Sequence, residues 1–234
     1  MARQMGSPAT TATHAAPSRA ATTRHPKPQA TTSTASTSIT RGSATYYAPA
    51  APGGACMTLS IPSSRYTAAV GPAEFAGSKA CGSYLSVAGA RGTILVKVDN
   101  LCPECATGHI DLSTEAFAAL DDPVKGVVPI SYRTVRNPAV SGNIVVQVKD
   151  GSNPYWLALQ LDNIGNALQS VAVAGPSGAF RSMTRSQNAF WVLDDNPGSG
   201  PFRVRLTDVA GHVVTLTSID LKPGVKQTTS AKLY

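Results

Sequence analysis

Nowhere does this 234-residue chain sustain the ~18–20 consecutive apolar residues that a bilayer-crossing helix requires, which excludes an integral helical membrane protein. Charge is scarce too: Asp, Glu, Lys and Arg make up 14 %, too little for a coiled coil or a helical repeat array. The 20 Gly and 17 Pro instead punctuate scattered Val, Thr and Ile, the composition of a loop-rich β protein. No glycine-rich loop follows a strand pattern and opens a helix, so a nucleotide-phosphate site has no support. Residues 1–42 lack acidic and aromatic residues altogether, and five cations (Arg3, Arg19, Arg24, Lys27, Arg41) stand there among 24 Ala, Thr and Ser. Such a segment cannot bury enough apolar surface to offset the entropy of ordering it, and it reads as a disordered basic tail. With the tail set aside, the net charge of +7 falls to +2. No basic stripe is left for nucleic acid, which is excluded as a partner. Residues 1–40 also lack the ~7–15-residue apolar stretch of a signal peptide.

Four cysteines (Cys56, Cys81, Cys102, Cys105) fall within one 50-residue stretch. An even set confined to one small domain reads as two disulfides and as an exported, extracellular protein. Cys102-Pro-Glu-Cys105 has metal-ligand spacing, but Cys56 and Cys81 form no second close pair. Zinc is therefore the weaker reading, and no cofactor is expected. Three disulfide connectivities remain open.

Two folded units follow the tail. Residues 43–137 hold short strands and turns, such as Ser83–Val87 and Gly92–Asp99, then a short helix whose N-cap is Ser113 and whose first turn carries Glu115. Residues 138–142 form a Pro-containing linker, short enough to restrict the relative orientation of the two units. Residues 143–234 carry at least six strand patterns at regular spacing. In one of them Phe202, Val204 and Leu206 share a face opposite Arg203, Arg205 and Thr207, as in a half-buried antiparallel strand of a β-sandwich.

Chemistry concentrates around Asp111. Alternation sends it to the face opposite Ile110 and Leu112, toward a solvated groove, and Asp99 ends the preceding strand. A glycosidase needs two carboxyl groups, and Asp99 and Asp111 are candidates for such a pair, with Glu104 as a third. On spacing alone, supporting roles are favoured: Asp99 bonding loop amides and Asp111 bracing the turn into the helix. His109 reads as a surface loop histidine. In the second unit Trp156 shares a face with Ala158 and Gln160, small and polar neighbours suited to a solvent-facing ring. Tyr155 has the parity of Leu157 and Leu159, so a bulge near Pro154 is needed to expose both rings.

The segments SATYYAP, GGAC, ACGSYLSV, VDNLCPECATGHIDLSTEAFAAL and VKDGSNPYW, in that order across Ser43–Leu221, resemble the landmarks of bacterial and fungal expansin-like proteins. The resemblance implies a mainly β chain, a six-stranded double-psi β-barrel followed by an immunoglobulin-like, cellulose-binding sandwich. It implies a secreted, monomeric, non-enzymatic protein that loosens cell-wall polysaccharide: cellulose and mixed glucans, with pectin or peptidoglycan as further candidates. Carried over by position, Asp111 is the groove aspartate, Thr45 and Asp99 are its polar neighbours at the catalytic position of related hydrolases, and Tyr46 lines the groove. Lys149, Tyr155 and Trp156 match an aromatic platform on the sandwich. The third platform ring falls near Ser186–Gln187, where no aromatic stands, and Trp191 replaces it if it faces outward. The alternative is a lytic transglycosylase or glycoside hydrolase acting on peptidoglycan or glucan, with Asp111 as acid and Asp99 or Glu104 as partner.

Overall fold

The computed structural model describes residues 38–234, and the tail expectation falls outside the described residues as far as residue 37. Residues 40–42 differ from it, because they open the first barrel strand. A close approach explains why: a Cβ at Gly42 would lie 1.8 Å from the Gly108 carbonyl oxygen, so only glycine lets these two segments pass.

Six strands close the barrel: β1 (Thr40–Tyr46), β2 (Thr67–Val70), β3 (Tyr84–Gly89), β4 (Gly92–Leu101), β5 (His109–Leu112) and β6 (Val128–Val135), in the order β1-β5-β2-β4-β3-β6. Two pairs, β1 with β5 and β2 with β4, run parallel and the rest antiparallel, the interleaving of a double-psi barrel. Closure leaves no exposed strand edge. Ala44, Val87, Val96, Val98, Ile110 and Leu112 fill the interior. A four-residue helix, α1 (Pro72–Phe75), follows β2, and α2 (Thr114–Leu120) plugs the barrel with Phe117 and Leu120. The Ser113 hydroxyl caps α2 by accepting from the Ala116 amide, as its position in the sequence predicts.

The second unit is a sandwich of two antiparallel sheets. One has the order β11-β12-β8-β7-β15, from β7 (Val145–Val148), β8 (Leu157–Asp162), β11 (Thr184–Arg185), β12 (Trp191–Leu193) and β15 (Lys226–Thr228). The other has the order β10-β9-β13-β14, from β9 (Leu168–Ala174), β10 (Arg181–Ser182), β13 (Phe202–Asp208) and β14 (Val213–Ile219). Phe202, Val204 and Leu206 enter the core between the sheets, as their alternation requires.

Strand β8 is buried on both faces, which differs from the expectation that Ala158 and Gln160 face solvent. Leu157, Leu159 and Leu161 point into the sandwich core, while Gln160 and Asp162 on the opposite face meet the barrel and Ala158 is buried beside them. Gln160 Nε2 donates to the Cys56 carbonyl at 2.8 Å. Asp162 Oδ1 accepts from Lys97 Nζ at 2.5 Å, and its Oδ2 accepts from the Leu59 and Ser60 amides and the Ser60 hydroxyl at 2.8–3.0 Å. Both charged side chains are buried. Burial alone would raise the Asp162 pKa, but the Lys97 ammonium and the converging N–H and O–H donors hold it below the ordinary carboxylate value. At the linker, Asn166 Oδ1 accepts from the Asn137 amide while its Nδ2 donates to Asn137 Oδ1 and Asp208 Oδ2.

Two disulfides form, Cys56–Cys81 and Cys102–Cys105. The first ties down the loop whose Cys56 carbonyl meets Gln160; the second closes the turn leading toward β5. No cluster among the described residues has the makeup of a metal site.

Removing one partner of the buried pair strands the other charge, so Asp162→Ala is expected to lower unfolding stability by about 3–5 kcal/mol in urea denaturation. The double change Lys97→Met with Asp162→Leu is expected to recover most of that loss. Equal losses in the single and double variants would show that the pair carries no such weight.

Candidate functional site

The barrel site is set by strand register. In the parallel β1–β5 pairing, Ser43 lies opposite His109 and Thr45 opposite Asp111. Thr45 Oγ1 donates to Asp111 Oδ1 at 2.6 Å, and His109 bridges the two hydroxyls, with Nε2 2.9 Å from Thr45 Oγ1 and Nδ1 2.9 Å from Ser43 Oγ. Thr45 has a single proton, already given to Asp111, so it accepts from His109 Nε2–H. Nδ1 of the same ring pairs with the Ser43 hydroxyl. The outcome is a four-residue chain of hydrogen bonds that fixes one oxygen of Asp111. Oδ2 has no hydrogen bond from the described residues, and Asp111 is only partly buried. His109, expected as a bystander in a loop, belongs to the site. Its position two residues before Asp111, on the same strand face, is the signal for it.

Asp99 is placed differently from an open groove carboxylate. It is 2 % exposed, and its Oδ1 has no hydrogen-bond partner. Burial pushes its pKa up to about 7, against the pull of the Thr67 hydroxyl and the Lys97 charge. The loop ahead of the first disulfide packs on it: the Cys56 amide donates to the Asp99 carbonyl at 3.1 Å, and a Cβ at Gly54 would lie 2.6 Å from that same oxygen. Glu104 stands exposed at the tip of the Cys102–Cys105 turn.

Tyr46 is not the tyrosine on the aspartate side. It has the parity of the core residue Ala44, rests on Phe117 with ring centroids 4.7 Å apart, and directs its hydroxyl to the Pro123 carbonyl. Tyr47 follows it on the parity of Thr45, beyond the end of β1. Its pKa is raised by burial first, then by the charges of Asp99 and Asp111. It is the ring that lies within the field of both carboxylates.

The sandwich presents a second set of groups. Asn153 and Trp156 exchange backbone hydrogen bonds at 2.8 and 3.2 Å, making Pro154 and Tyr155 the tip of a tight turn before β8. This turn, and not a bulge, frees both rings: Tyr155 is 73 % exposed and Trp156 is partly exposed where it enters the strand. Trp191 does not supply the third ring. It pairs with the core residue Leu159, is 5 % exposed, and lies under the Arg185 guanidinium 4.4 Å from its centroid. Phe190 takes the outward parity instead. The turn before β12 places it there: the Ser186 amide donates to the Phe190 carbonyl, the Phe190 amide donates to Ser186 Oγ, and Ala189 is left-handed at φ +60°. Lys149 Nζ stands 5.9 Å from the Trp156 centroid and 5.7 Å from that of Phe190, within cation–π range of both.

Barrel and platform adjoin. Met57 and Leu59 of the barrel line a hollow of about 180 Å³ together with Gln147, Lys149, Gln160 and Phe190 of the sandwich. Along β8, Trp156 and Asp162 are six residues apart, roughly 20 Å of extended chain, so one strand carries the platform at one end and the interdomain ion pair at the other.

A family model described as a lytic transglycolase matches residues 39–132, and one described as the expansin C-terminal domain matches residues 144–220. Expansin-YoaJ of Bacillus subtilis is 34 % identical over 197 residues, covering 82 % of each chain. Expansin-B4 of Arabidopsis thaliana is 31 % identical over 188 residues, covering 69 % of this chain and 72 % of its own. The crystal structure of the apo expansin of Clavibacter michiganensis superposes with a TM-score of 0.79 at 37 % identity, covering 84 % of this chain and 98 % of that one. A point mutant of the same expansin, in complex with cellohexaose, matches with a TM-score of 0.79 at 36 % identity.

The raised pKa of Asp99 has a definite sign in stability. Between about pH 4, its ordinary value, and about pH 7, the folded protein keeps a proton that the unfolded chain has released. Its favourable contribution is therefore complete below that window and lost as pH rises through it. Asp99→Asn is expected to gain stability relative to wild type between pH 4.5 and 8, read by thermal unfolding at both values. A difference that stays constant with pH would mean that Asp99 titrates normally.

Proposed function

The chain belongs to the expansin family, and from that premise we propose that it grips cell-wall glucan without cutting it. Asp111 acts as a hydrogen-bonding group, and the rings of Tyr155, Trp156 and Phe190 act as the platform. The observation that carries this reading is the lone usable carboxylate. Inverting hydrolysis needs a second carboxyl group ~6.5–9.5 Å from the acid with space for a water between them. The barrel's other acidic side chains do not offer one. Asp99 is buried, and Glu104 is exposed at a loop tip. Glu74 accepts from the Gly108 amide and the Tyr132 hydroxyl, and Glu115 is bonded to Arg65 and the Ala50 amide. Asp121 pairs with Lys125, and Asp122 accepts from the Val124 amide.

In this reading a glucan ribbon lays the C–H faces of its sugars on the three rings. Each ring contact buries apolar area with a specific geometry and few hydrogen bonds. Lys149, held beside two of the rings, adds a donor for sugar hydroxyls. Where the chain reaches the barrel, Asp111 Oδ2 accepts a hydroxyl hydrogen bond that would otherwise join neighbouring glucan chains. The relay through Thr45, His109 and Ser43 keeps that oxygen aimed outward. Contacts of this kind are strong enough to separate chains locally and weak enough to release them. The cellohexaose complex of the Clavibacter expansin supports a cellulose-type chain as the ligand. The two disulfides support an extracellular site of action.

The match of residues 39–132 to a lytic transglycolase model supports a second reading, in which Asp111 protonates a glycosidic oxygen of peptidoglycan. Two measurements separate them. Trp156→Ala is expected to reduce retention on insoluble cellulose about tenfold, equivalent to about 1.4 kcal/mol. Asp111→Asn is expected to abolish weakening of cellulose paper while leaving that retention intact. Mass spectrometry of wild-type incubations should find no glycan fragments above background. Sustained release of fragments from peptidoglycan or glucan would replace the first reading with the second.

A further inference from the structure

Apart from groove and platform, a cavity of about 600 Å³ opens where barrel, linker and sandwich meet, within the ~300–1,000 Å³ range of small-molecule sites. The barrel contributes Tyr66, Tyr84 and Lys97 to its wall, the linker Ser141, and the sandwich Asn163 and Thr228. Three features of this wall point to a ligand.

The first is Tyr84. The residue is 7 % exposed, yet its hydroxyl makes no hydrogen bond with any described residue. Burial pushes its pKa up to about 12, with Asp162 and Tyr234 adding to the shift, so the group stays a protonated donor. The phenol oxygen opens to the cavity rather than being sealed off, so it is free to donate to whatever occupies that space. The second feature is spare capacity beside it. Lys97 Nζ uses two of its three protons, on Asp162 Oδ1 and the Ser60 carbonyl. Asn163 spends both amide protons on the Ser141 and Asn143 carbonyls, leaving its carbonyl oxygen as an acceptor. The third is charge. Lys97 is the one charged residue of the wall, and Asp162 cancels it.

We infer that this cavity binds a short neutral saccharide of one or two sugar units, held between barrel and sandwich by Tyr84, Lys97 and Asn163. The wall mixes hydroxyl, amide and phenol groups with apolar side chains such as Ile61, Leu95, Val140 and Val145 and carries no net charge, which fits a sugar that offers donors, acceptors and C–H faces together. Because its contacts come from both domains, an occupied cavity stiffens the seam around the Lys97–Asp162 pair. That the sugar is a glucan fragment rests on the proposed function; the cavity's chemistry does not.

The test is calorimetric titration of the full chain with cellobiose, for wild type, Tyr84→Phe, Ser141→Trp and Trp156→Ala, each checked for folding by circular dichroism. Tyr84→Phe removes a hydroxyl without a partner in the free protein, so the fold loses no hydrogen bond. It is expected to weaken cellobiose about tenfold, the worth of a buried hydrogen bond. Ser141→Trp, at an exposed linker position, is expected to block the cavity to the same ligand. Trp156→Ala should bind cellobiose as wild type does, although it loses insoluble cellulose. Cellobiose binding together with absent cellulose retention in wild type would uphold the cavity and defeat the platform reading. The inference is overturned if cellobiose does not bind wild type, binds Tyr84→Phe and Ser141→Trp unchanged, or is lost with Trp156.

Discussion

A single buried ion pair organises this molecule. Lys97 leaves the barrel on β4 and Asp162 leaves the sandwich on β8, and they meet at 2.5 Å in a place neither could occupy alone. Desolvating two charges is expensive, and the expense is offset only because five donor contacts converge on the Asp162 carboxylate. That requirement makes the contact specific: a shifted interface would leave a charge buried without its partner. The double-sided burial of β8, the position of the loop holding Cys56, and the cavity beside Tyr84 all follow from this register between the domains. Groove and platform thus sit on one body despite belonging to separately built units.

The chemistry on that body is restrained by burial. Asp99 and Asp111 look alike in sequence, both on strands and twelve residues apart, but their surroundings assign them different work. Asp111 keeps one oxygen tied to Thr45 and one open, whereas the Asp99 carboxyl is buried, and that burial raises its pKa to about 7. A carboxyl group without room for water does not activate one. In the proposed reading, burial of this second acid is what sets gripping apart from cutting.

Much of this was legible beforehand, and the exceptions share a cause. Period-two alternation located the face of Asp111 and the core face of Phe202–Leu206, and a serine ahead of the helix located the cap, because these depend on neighbours within a strand or turn; Thr45 beside Asp111 came from the family resemblance. What failed depended on contacts between distant segments. Ala158 and Gln160 read as solvent-facing because nothing local reveals that both are buried, Gln160 against the barrel. Alternation says that one of Phe190 and Trp191 faces inward, but which one is fixed by the pairing of Trp191 with Leu159, thirty-two residues earlier. His109 read as a bystander until register put it between two hydroxyls. Tyr46 is the expected groove ring, whereas alternation from Thr45 puts Tyr47 on the side of Asp111.

The turn carrying Tyr155 separates two kinds of position within the platform. Tyr155 sits at a hairpin apex with most of its surface in water, so replacing its ring touches no core contact and should change stability by no more than about 0.5 kcal/mol. Trp156 immediately precedes β8, a strand whose every residue is buried, and Phe190 leads into a strand anchored by Trp191. The apex is therefore the place where selection or design is free to retune which polymer surface is preferred, while the two flanking rings stay fixed by the architecture beneath them.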